Sequence, residues 1–268
     1  MMPVDNLKVL IRGGGELASG VAHRLHQSHF KVCLIETDHP QAVRRGVSFC
    51  EAVYEGEKTL EGVTCKLLNR VDKITDAWQK GVIPLVVDPE NKTKDVIKPD
   101  VEIDAIIAKE NLGTRITDAP LVIGLGPGFS AGKDVHVVIE TNRGHNLGRI
   151  IMRGEAESDT GIPGAIGGFA KERVWHAPVA GLFTTQKKIG DRVAAGDVVA
   201  LVDTTPVKTE IGGMIRGLLR NNTRVRKGMK LGDIDPRGIE EYCYTISDKS
   251  RTISGGVLQA IMTRYNGK

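Results

Sequence analysis

The chain has 268 residues, of which 40% are hydrophobic and 26% are charged, a composition typical of a folded globular protein rather than a disordered one. Only 4% are aromatic, which argues against a stacking surface for single-stranded nucleic acid. The formal net charge is +4 and the basic residues are spread along the chain, so we expect no nucleic-acid partner. The densest basic stretch, residues 216–230, interleaves charged with apolar residues and is expected to form solvated strand edges.

The four cysteines show neither a CxxC spacing nor a histidine at metal-ligand spacing, so we expect no metal site and no disulfide framework. This pattern fits a reducing compartment. The sequence also has no signal-peptide pattern and no run of about 20 apolar residues. We therefore expect a cytoplasmic protein with no membrane partner.

Strands and helices alternate in the first 155 residues, which predicts an α/β domain with a largely parallel, Rossmann-like sheet. Residues 8–13 are predicted to form the first strand, and residues 16–27 a helix with its apolar side chains on one face. Residues 31–38 form an almost continuous apolar run, as expected for a parallel strand covered on both faces. The later predicted strands are residues 82–89, 104–110, 119–126, 135–141 and 147–154, the last two forming a hairpin.

The strongest motif directly follows the first strand, where Gly13, Gly15 and Ala18 fit the G-x-G-x-x-A pattern of a phosphate-binding turn. Glycine allows a tight turn and lets a phosphate approach backbone N–H groups at a helix N-terminus. Glu36 ends the second strand, where an acidic side chain would accept a hydrogen bond from a ribose hydroxyl. A tight turn with a purely structural role is the alternative. The predicted ligand-binding residues here are Gly13, Gly14, Gly15, Glu16, Ala18 and Glu36.

A second glycine-rich turn follows the strand at residues 119–126 and contains Gly124, Gly126 and Gly128. Ligands of open α/β sheets bind at the carboxyl edge, and exposed N–H groups in such a loop can hold an anion. A rigid crossover turn without a ligand is equally consistent with these glycines.

A third candidate is the connection between the last two strands of this region, which contains Arg143 and His145. Recognition residues collect on such loops, and histidine can transfer protons near neutral pH. No serine or cysteine stands at a spacing that would support a catalytic triad. A hairpin tip with solvated charges is the alternative.

The composition changes at residues 154–173, which are rich in glycine and acidic residues and are predicted to be a hinge or a functional loop. The predicted organisation is a Rossmann-like domain at residues 1–155, a hinge at 156–172, a β domain at 173–237 and helices at 238–268. The final helices are predicted at residues 239–246 and 254–265 and are expected to pack back on the first domain.

The β domain contains an internal repeat, because residues 179–203 match the sequence 32 positions later. Two equivalent halves related by pseudo-symmetry build the biotinyl/lipoyl-type β-sandwich, and this region resembles that family. The matched pairs are Gly181 with Gly213, Arg192 with Arg224, Val193 with Val225, Gly196 with Gly228 and Asp203 with Asp235.

This region lacks the acyl-accepting lysine of the carrier domains that it resembles. Alignment of residues 202–211 with the carrier hairpin puts residues 204–207 at its tip and Pro206 at the lysine position, and proline offers no amine. Lys208 is expected on the outgoing strand. We therefore expect neither biotin nor lipoate, and an acyl-carrier role is disfavoured.

The motifs also occur in an order that resembles the YqeB-type accessory proteins of the selenium-dependent molybdenum hydroxylase system, which are related to the XdhC/CoxF molybdenum-cofactor chaperones. The segments that carry this resemblance are residues 12–26, 39–56, 86–90, 106–114, 124–135, 137–150 and 159–163.

The resemblance implies a cytoplasmic maturation factor, or chaperone, that helps to load or modify the molybdenum cofactor of a xanthine-dehydrogenase-like client. The ligand expected in the Rossmann crevice is molybdopterin, molybdenum cofactor or a (di)nucleotide. Whether the protein is an enzyme or a homo-oligomer stays open at this point. The alternative function is an NAD(P)-dependent oxidoreductase, which shares the first motif but requires a catalytic group that the sequence does not identify.

Overall fold

The computed structural model describes residues 4–266, which form two compact units. Unit 1 takes the described residues up to Pro40, Ser48–Asp159 and those from Ile246 onward, and unit 2 takes Gln41–Val47 and Thr160–Thr245. None of the helices within residues 4–266 is long and apolar enough to cross a membrane.

The strands are short in both units. The strands of unit 1 are β1 (Lys8–Arg12), β2 (Lys31–Glu36), β3 (Glu57–Leu60), β4 (Val63–Leu68), β5 (Ile83–Val87), β6 (Val101–Asp104), β7 (Leu121–Leu125), β8 (Ser130–Ala131), β9 (Val137–Ile139), β10 (Ile150–Ile151) and β11 (Gly154–Glu155). Its α-helices are α1 (Glu16–Gln27), α2 (Ala52–Glu55), α3 (Ile74–Gln79), α4 (Thr93–Ile97) and α5 (Asp248–Asn266). The strands of unit 2 are β12 (Val174–His176), β13 (Gly181–Thr184), β14 (Arg192–Val193), β15 (Val198–Val202), β16 (Thr205–Lys208), β17 (Gly213–Leu218), β18 (Thr223–Val225) and β19 (Lys230–Asp235).

Unit 1 is built on a nine-stranded sheet of order β10-β9-β7-β6-β1-β2-β5-β4-β3. All neighbours pair in parallel except at the two edges, where β10 and β3 are antiparallel. If β1, β2, β5, β6, β7 and β9 are counted 1 to 6, their spatial order is 3-2-1-4-5-6, the order of a doubly wound sheet. The prediction of an α/β fold with a largely parallel sheet is therefore confirmed.

The apolar strands lie where their sequences predict. Three of the four positions after the first in β1 and all five residues of β7 are buried apolar or glycine positions. Helix α1 begins and ends at the predicted residues and buries Ala18, Val21 and Leu25 against the sheet. Helix α5 packs on α1 at a point where a Cβ atom on Gly20 would lie 2.8 Å from Cβ of Ser250. Small residues at this contact let the two helices approach closely.

One predicted strand of unit 1 is wrong. The strand expected at residues 104–110 is Val101–Asp104, and the chain after it is irregular, with positive φ at Ile107 and Lys109. Two charged side chains in this strand, Glu102 and Asp104, are almost fully buried, so its sequence lacks the apolar run that marks β1 and β7. The predicted hairpin is confirmed, because β10 pairs antiparallel with β9.

Unit 2 consists of two four-stranded antiparallel sheets, of orders β12-β19-β17-β14 and β16-β15-β13-β18. One apolar cluster, which includes Phe183, Val202, Ile215 and Ile234, draws side chains from both sheets. A shift by one sequence repeat converts β12, β13, β14 and β15 into β16, β17, β18 and β19. The same exchange converts the order of the first sheet into that of the second.

The hairpin between β15 and β16 turns at an earlier point than predicted. Its apex is Asp203-Thr204, and Asp203 adopts a positive φ of 51°. Pro206 lies on β16, where it pairs with Leu201, and Lys208 is exposed further along that strand, opposite Val198. The prediction that put residues 204–207 at the tip is therefore wrong by two residues.

Two further expectations for the C-terminal part are corrected. Residues 239–246 contain only a short 3-10 helix, Glu240–Cys243, whereas α5 begins at Asp248, six residues before the predicted start. Arg216 was expected in a solvated strand edge. It is 7% exposed, and its guanidinium lies 3.6 Å from the buried Asp235 carboxylate.

Candidate functional site

The three predicted loops of unit 1 emerge at the same edge of the sheet. Strands β6, β7 and β9 run parallel to β1 and lie beside it in the order β9-β7-β6-β1, so their carboxyl ends meet at one edge. The residues that follow these strands are therefore neighbours, and direct approaches link them. A Cβ atom on Gly13 would lie 3.1 Å from the carbonyl oxygen of Ala105, and one on Gly126 would lie 2.5 Å from Oγ1 of Thr141.

The first glycine turn is held by hydrogen bonds on its protein side. The N–H of Gly13 donates to the carbonyl oxygen of Ile35 at 2.8 Å, and its φ is +94°. The N–H of Gly14 donates to Oε2 of Glu36 at 2.8 Å, while its carbonyl oxygen accepts from the N–H of Cys50 at 2.8 Å. A Cβ atom on Gly14 would lie 2.9 Å from the backbone nitrogen of Cys50. Gly13 and Gly14 are therefore glycines for packing and backbone geometry.

Gly15 differs from both, because a Cβ atom there would meet nothing within 4 Å. It is the N-cap of α1 with φ −69° and ψ −174°, a conformation that any residue adopts, and its helix has no side-chain cap. Glu16 lies in the first turn of α1, and Ala18 is fully buried one turn inside the helix. The first N–H groups of an α-helix have no partner within the helix, and an anion is stabilised beside such a helix start.

Glu36 lies where the motif predicts, at the end of β2 beside the turn. Its Oε2 accepts from Gly14, and its Oε1 accepts from the N–H of Thr37 at 2.7 Å. Each carboxylate oxygen has a second lone pair, so this side chain retains the capacity to accept a ribose hydroxyl.

The second glycine turn is packed against protein atoms at each of its three glycines. A Cβ atom on Gly124 would lie 2.5 Å from the Phe129 ring, and one on Gly128 would lie 2.7 Å from the backbone nitrogen of Glu110. Gly126 and Gly128 also adopt positive φ angles of 78° and 107°. Of the two interpretations left open by the sequence, the structure favours the crossover turn.

In the third loop, Arg143 forms a bidentate pair with Asp248 at the start of α5, with N···O distances of 2.7 and 2.9 Å. His145 is exposed. A cavity of about 330 Å³ lies beside this loop and is lined by acidic and basic side chains, among them Glu140, Arg149 and Glu157. Glu140 itself is 2% exposed, and its two carboxylate oxygens accept backbone N–H groups of residues 142 and 157. The third loop is therefore a braced polar segment rather than a free hairpin tip.

A buried ion pair braces the junction between β1 and β6. Arg12 Nη1 lies 3.4 Å from Oδ2 of Asp104, and the hydroxyl of Thr114 donates to the same oxygen at 2.6 Å. The other oxygen of Asp104 accepts from the N–H of Ile106 at 3.1 Å. Sequence reasoning missed this group because Asp104 was assigned to the start of a strand rather than to its end.

Lys249 is the second residue that sequence reasoning missed. Burial lowers the pKa of its ammonium group, and the positive charge of Arg143 lowers it further. Three carboxylates act in the opposite direction, those of Glu16, Asp159 and Glu140. Its amine therefore senses charges from both the α1 start and the third loop, and a lysine perturbed in this way is a functional-site candidate. The sequence prediction began the final helix at residue 254 and therefore left Lys249 outside any element, whereas α5 begins at Asp248.

The carboxyl edge of this doubly wound α/β sheet therefore carries an α1 start without a side-chain cap, the perturbed Lys249 and the paired Arg143. Among the residues that the structure describes, no group of three or more His, Cys, Asp or Glu side chains is placed to hold a metal ion.

Comparison with known proteins gives one strong match in sequence. The chain is 48% identical over 260 residues to the uncharacterized protein YqeB of Escherichia coli strain K12, which covers 97% of this chain and 48% of that protein. The resemblance to YqeB is thereby confirmed, and the chain spans about half the length of this curated relative. No protein-family model matches the chain.

The similarity to solved structures is weak. An aspartoacylase family protein of Mesorhizobium loti matches with 11% identity and a TM-score of 0.29, over 85% of each chain. The ectoine utilization protein EutE of Ruegeria pomeroyi in its product-bound form matches with 13% identity and a TM-score of 0.26, again over 85% of each chain. Similarities at these scores carry no argument about the function of this chain.

Proposed function

We propose that the protein is an accessory or maturation factor for a selenium-dependent molybdenum hydroxylase and binds a nucleotide or molybdopterin-type ligand at the carboxyl edge of its sheet. The observation that supports the ligand site is Gly15, which caps α1 without a side-chain cap and faces open space. The turn that contains it follows β1 beside β6, and in the order 3-2-1-4-5-6 these two strands form the switch point at which doubly wound sheets bind ligands. The maturation role comes from the resemblance to YqeB-type proteins.

Each part of the edge would serve a phosphate-bearing ligand in its own way. The first-turn N–H groups of α1, together with its helix dipole, would hold the phosphate. Lys249 would add positive charge. Burial lowers the pKa of its amine, and a bound anion would favour the charged ammonium form again. Arg143, which pairs with Asp248 at the start of α5, would add a second positive charge to this edge.

An NAD(P)-dependent oxidoreductase is the second candidate. The observation that favours it is the contact between Glu36 and Gly14, which puts a carboxylate beside the phosphate-binding turn, where an adenosine ribose would lie. Under this alternative the preferred ligands are nicotinamide dinucleotides, and the edge has to supply a proton donor or acceptor.

Unit 2 is assigned to docking. Its two sheets exchange under the sequence repeat, as in a biotinyl/lipoyl-type module, and this topology supports the resemblance. The hairpin apex Asp203-Thr204 has no amine, so we propose that the module is not acylated. Its use would then be the binding of a client enzyme.

Calorimetric titration with molybdopterin, adenosine triphosphate and NAD tests the ligand site. We expect at least one of the three to bind, and Gly15→Val to weaken it at least tenfold, because the branched side chain fills the space that the phosphate needs. Gly255→Val is the matched control, since its Cβ also meets nothing within 4 Å, at a position of α5 outside the glycine turn. Binding of NAD alone would select the oxidoreductase. Equal affinities of the wild type and Gly15→Val, or no binding of any of the three, would contradict the site.

A separate measurement tests the maturation role. In cells that lack this chain, a selenium-dependent molybdenum hydroxylase should be purified with less molybdenum cofactor than from cells that contain it. An unchanged cofactor content would overturn this role while leaving the ligand site untouched.

A further inference from the structure

A second cavity of unit 1 lies at the amino edge of the sheet, opposite the glycine turns. It has a volume of about 510 Å³ and is lined by the first residues of β1 and β2, Lys8 and Lys31, and by Val82 just before β5. Because these strands are parallel, their starts share one edge, and the cavity is separated from Gly13–Gly15 by the length of β1. A volume of this size lies in the range of small-molecule sites.

One wall of the cavity is flat and apolar. Phe30 is 4% exposed and Trp78 is half-buried, and both line the cavity together with Val82. The indole N–H of Trp78 donates to the carbonyl oxygen of Val32 at 2.7 Å, which fixes the plane of the ring. A fixed aromatic wall favours a ligand with a planar ring, since stacked rings gain about 0.5–1.5 kcal/mol beyond area burial.

The rim of the cavity is positively charged. Lys8 Nζ donates to the carbonyl oxygen of Ile97 and Lys31 Nζ donates to Oδ1 of Asn6, both at 3.0 Å. Both acceptors are neutral, and within residues 4–266 neither ammonium group forms an ion pair with a carboxylate. Each ammonium keeps N–H donors beyond the one already used. The exposed Asp5 is the acidic side chain among the lining residues.

Two histidines also lie in the lining of this cavity. His26 and His29 line the cavity near the end of α1. Burial lowers the pKa of His26, and the neighbouring His23 and His29 lower it further.

We propose that this cavity is a second ligand site, independent of the carboxyl edge, for a planar aromatic molecule that bears one anionic group. The ring stacks on Trp78, and the anion binds Lys8 and Lys31. A nucleoside monophosphate and an aromatic carboxylate share this chemistry, and both fit a volume of this size.

The indole in the wall provides the measurement, because the chain has two tryptophans and the other, Trp175, is buried in unit 2. In Trp175→Phe, the remaining emission comes from Trp78. We expect saturable quenching by adenosine monophosphate or by 4-hydroxybenzoate, and at least tenfold weaker quenching by adenosine and by inorganic phosphate. Binding of one anion and not the other identifies the source of the ligand, and calorimetry on the wild-type chain gives the same affinities if Trp175→Phe does not fold.

Variants then separate this site from its surroundings and from the carboxyl edge. Lys31→Met should lower the affinity for the anion at least tenfold. Lys80→Met should not, since Lys80 is exposed near the cavity without lining it. Gly15→Val should leave the affinity unchanged, which keeps this test distinct from that of the glycine turn. Absence of saturable binding of either anion at millimolar concentration, or equal losses in Lys31→Met and Lys80→Met, would overturn the proposal.

Discussion

The two glycine-rich turns of unit 1 carry similar sequence signals and have different structural roles. Both follow a buried parallel strand, and both open at the carboxyl edge of the sheet. In the second turn, Gly124, Gly126 and Gly128 each face a protein atom less than 3 Å from the place of a Cβ. In the first turn this holds for Gly14, while Gly15 faces open space.

This difference shows how a glycine at a ligand site is distinguished from one in a packed turn. A glycine that packing requires has a neighbouring protein atom or a positive φ, and its substitution lowers stability. A glycine without either feature is free to change as far as the fold is concerned. Gly15 is of this second kind, so packing does not require it, and the ligand that we propose is one reason for its presence.

The largest expected effect is on the packed turn. Gly126→Ala should lower the free energy of unfolding by about 2–5 kcal/mol, the sum of about 1–2 for a left-handed backbone and 1–3 for overpacking. Its Cβ would lie 2.5 Å from Oγ1 of Thr141 at a φ of +78°. Urea unfolding measures the change. The control is Gly132→Ala, which has a similar φ of +88° but open space, and should lose only the backbone part. Equal losses in both variants would show that packing is not what requires Gly126.

Strand β6, which lies between the strands β1 and β7 that carry the two turns, should make the free energy of unfolding depend on pH. Burial raises the pKa of Glu102 to about 7, with a further contribution from Asp118, while the hydrogen bond from Asn91 opposes the shift. The folded state therefore holds this proton to higher pH than the unfolded state, and stability is lost as pH rises through about 7. In Glu102→Gln this loss should disappear, which makes the variant more stable than the wild type at pH 8 by on the order of 3 kcal/mol.

Urea unfolding of both proteins at pH 4.5 and pH 8 measures this difference, and the two should have nearly the same stability at the lower pH. Glu57→Gln, at an exposed position of β3, is the control and should follow the wild type. If Glu102→Gln kept the pH dependence of the wild type, Glu102 would be charged in the folded state.

The smallest expected effect is on the open turn. Gly15→Ser should raise the free energy of unfolding by a few tenths of a kcal/mol, because serine is a better N-cap than glycine and α1 has no side-chain cap. Thermal unfolding checks the sign. The same variant should also lower the affinity for the ligand that titration of the wild type identifies. The serine hydroxyl accepts hydrogen bonds from N–H groups of the first turn of α1 and so competes with the ligand. A stabilised variant with full affinity would remove the ligand as the reason for Gly15.

The local parts of the fold were predictable from the sequence because their signals are local. Helix α1 and strands β1 and β2 follow apolar periods of 3.6 and runs of buried residues, and their positions were correct to within two residues. Strand β6 was placed wrongly because Glu102 and Asp104 are buried in pairs with side chains that lie elsewhere in the sequence.

The candidate site was predictable only in the part that a turn motif encodes. Gly15 and Glu36 belong to one contiguous strand-turn-helix-strand unit, so their spacing carried the information. Lys249 and Asp248 are more distant in sequence from the loops that they approach, and only tertiary structure brings them there. The assignment of residues 41–47 to unit 2 had no sequence signal either.

The pairing of α1 with α5 has a consequence for biosynthesis. Helix α1 leaves the ribosome before α5, which packs on Gly20 and follows only after the whole of unit 2. At ordinary elongation rates this delay is on the order of 10–40 s. During this interval the surface of α1 around Gly20 is not covered by α5, whereas unit 2 already has all its strands. Nascent chains stalled between the two helices would consequently be the form of this protein that binds chaperones most strongly.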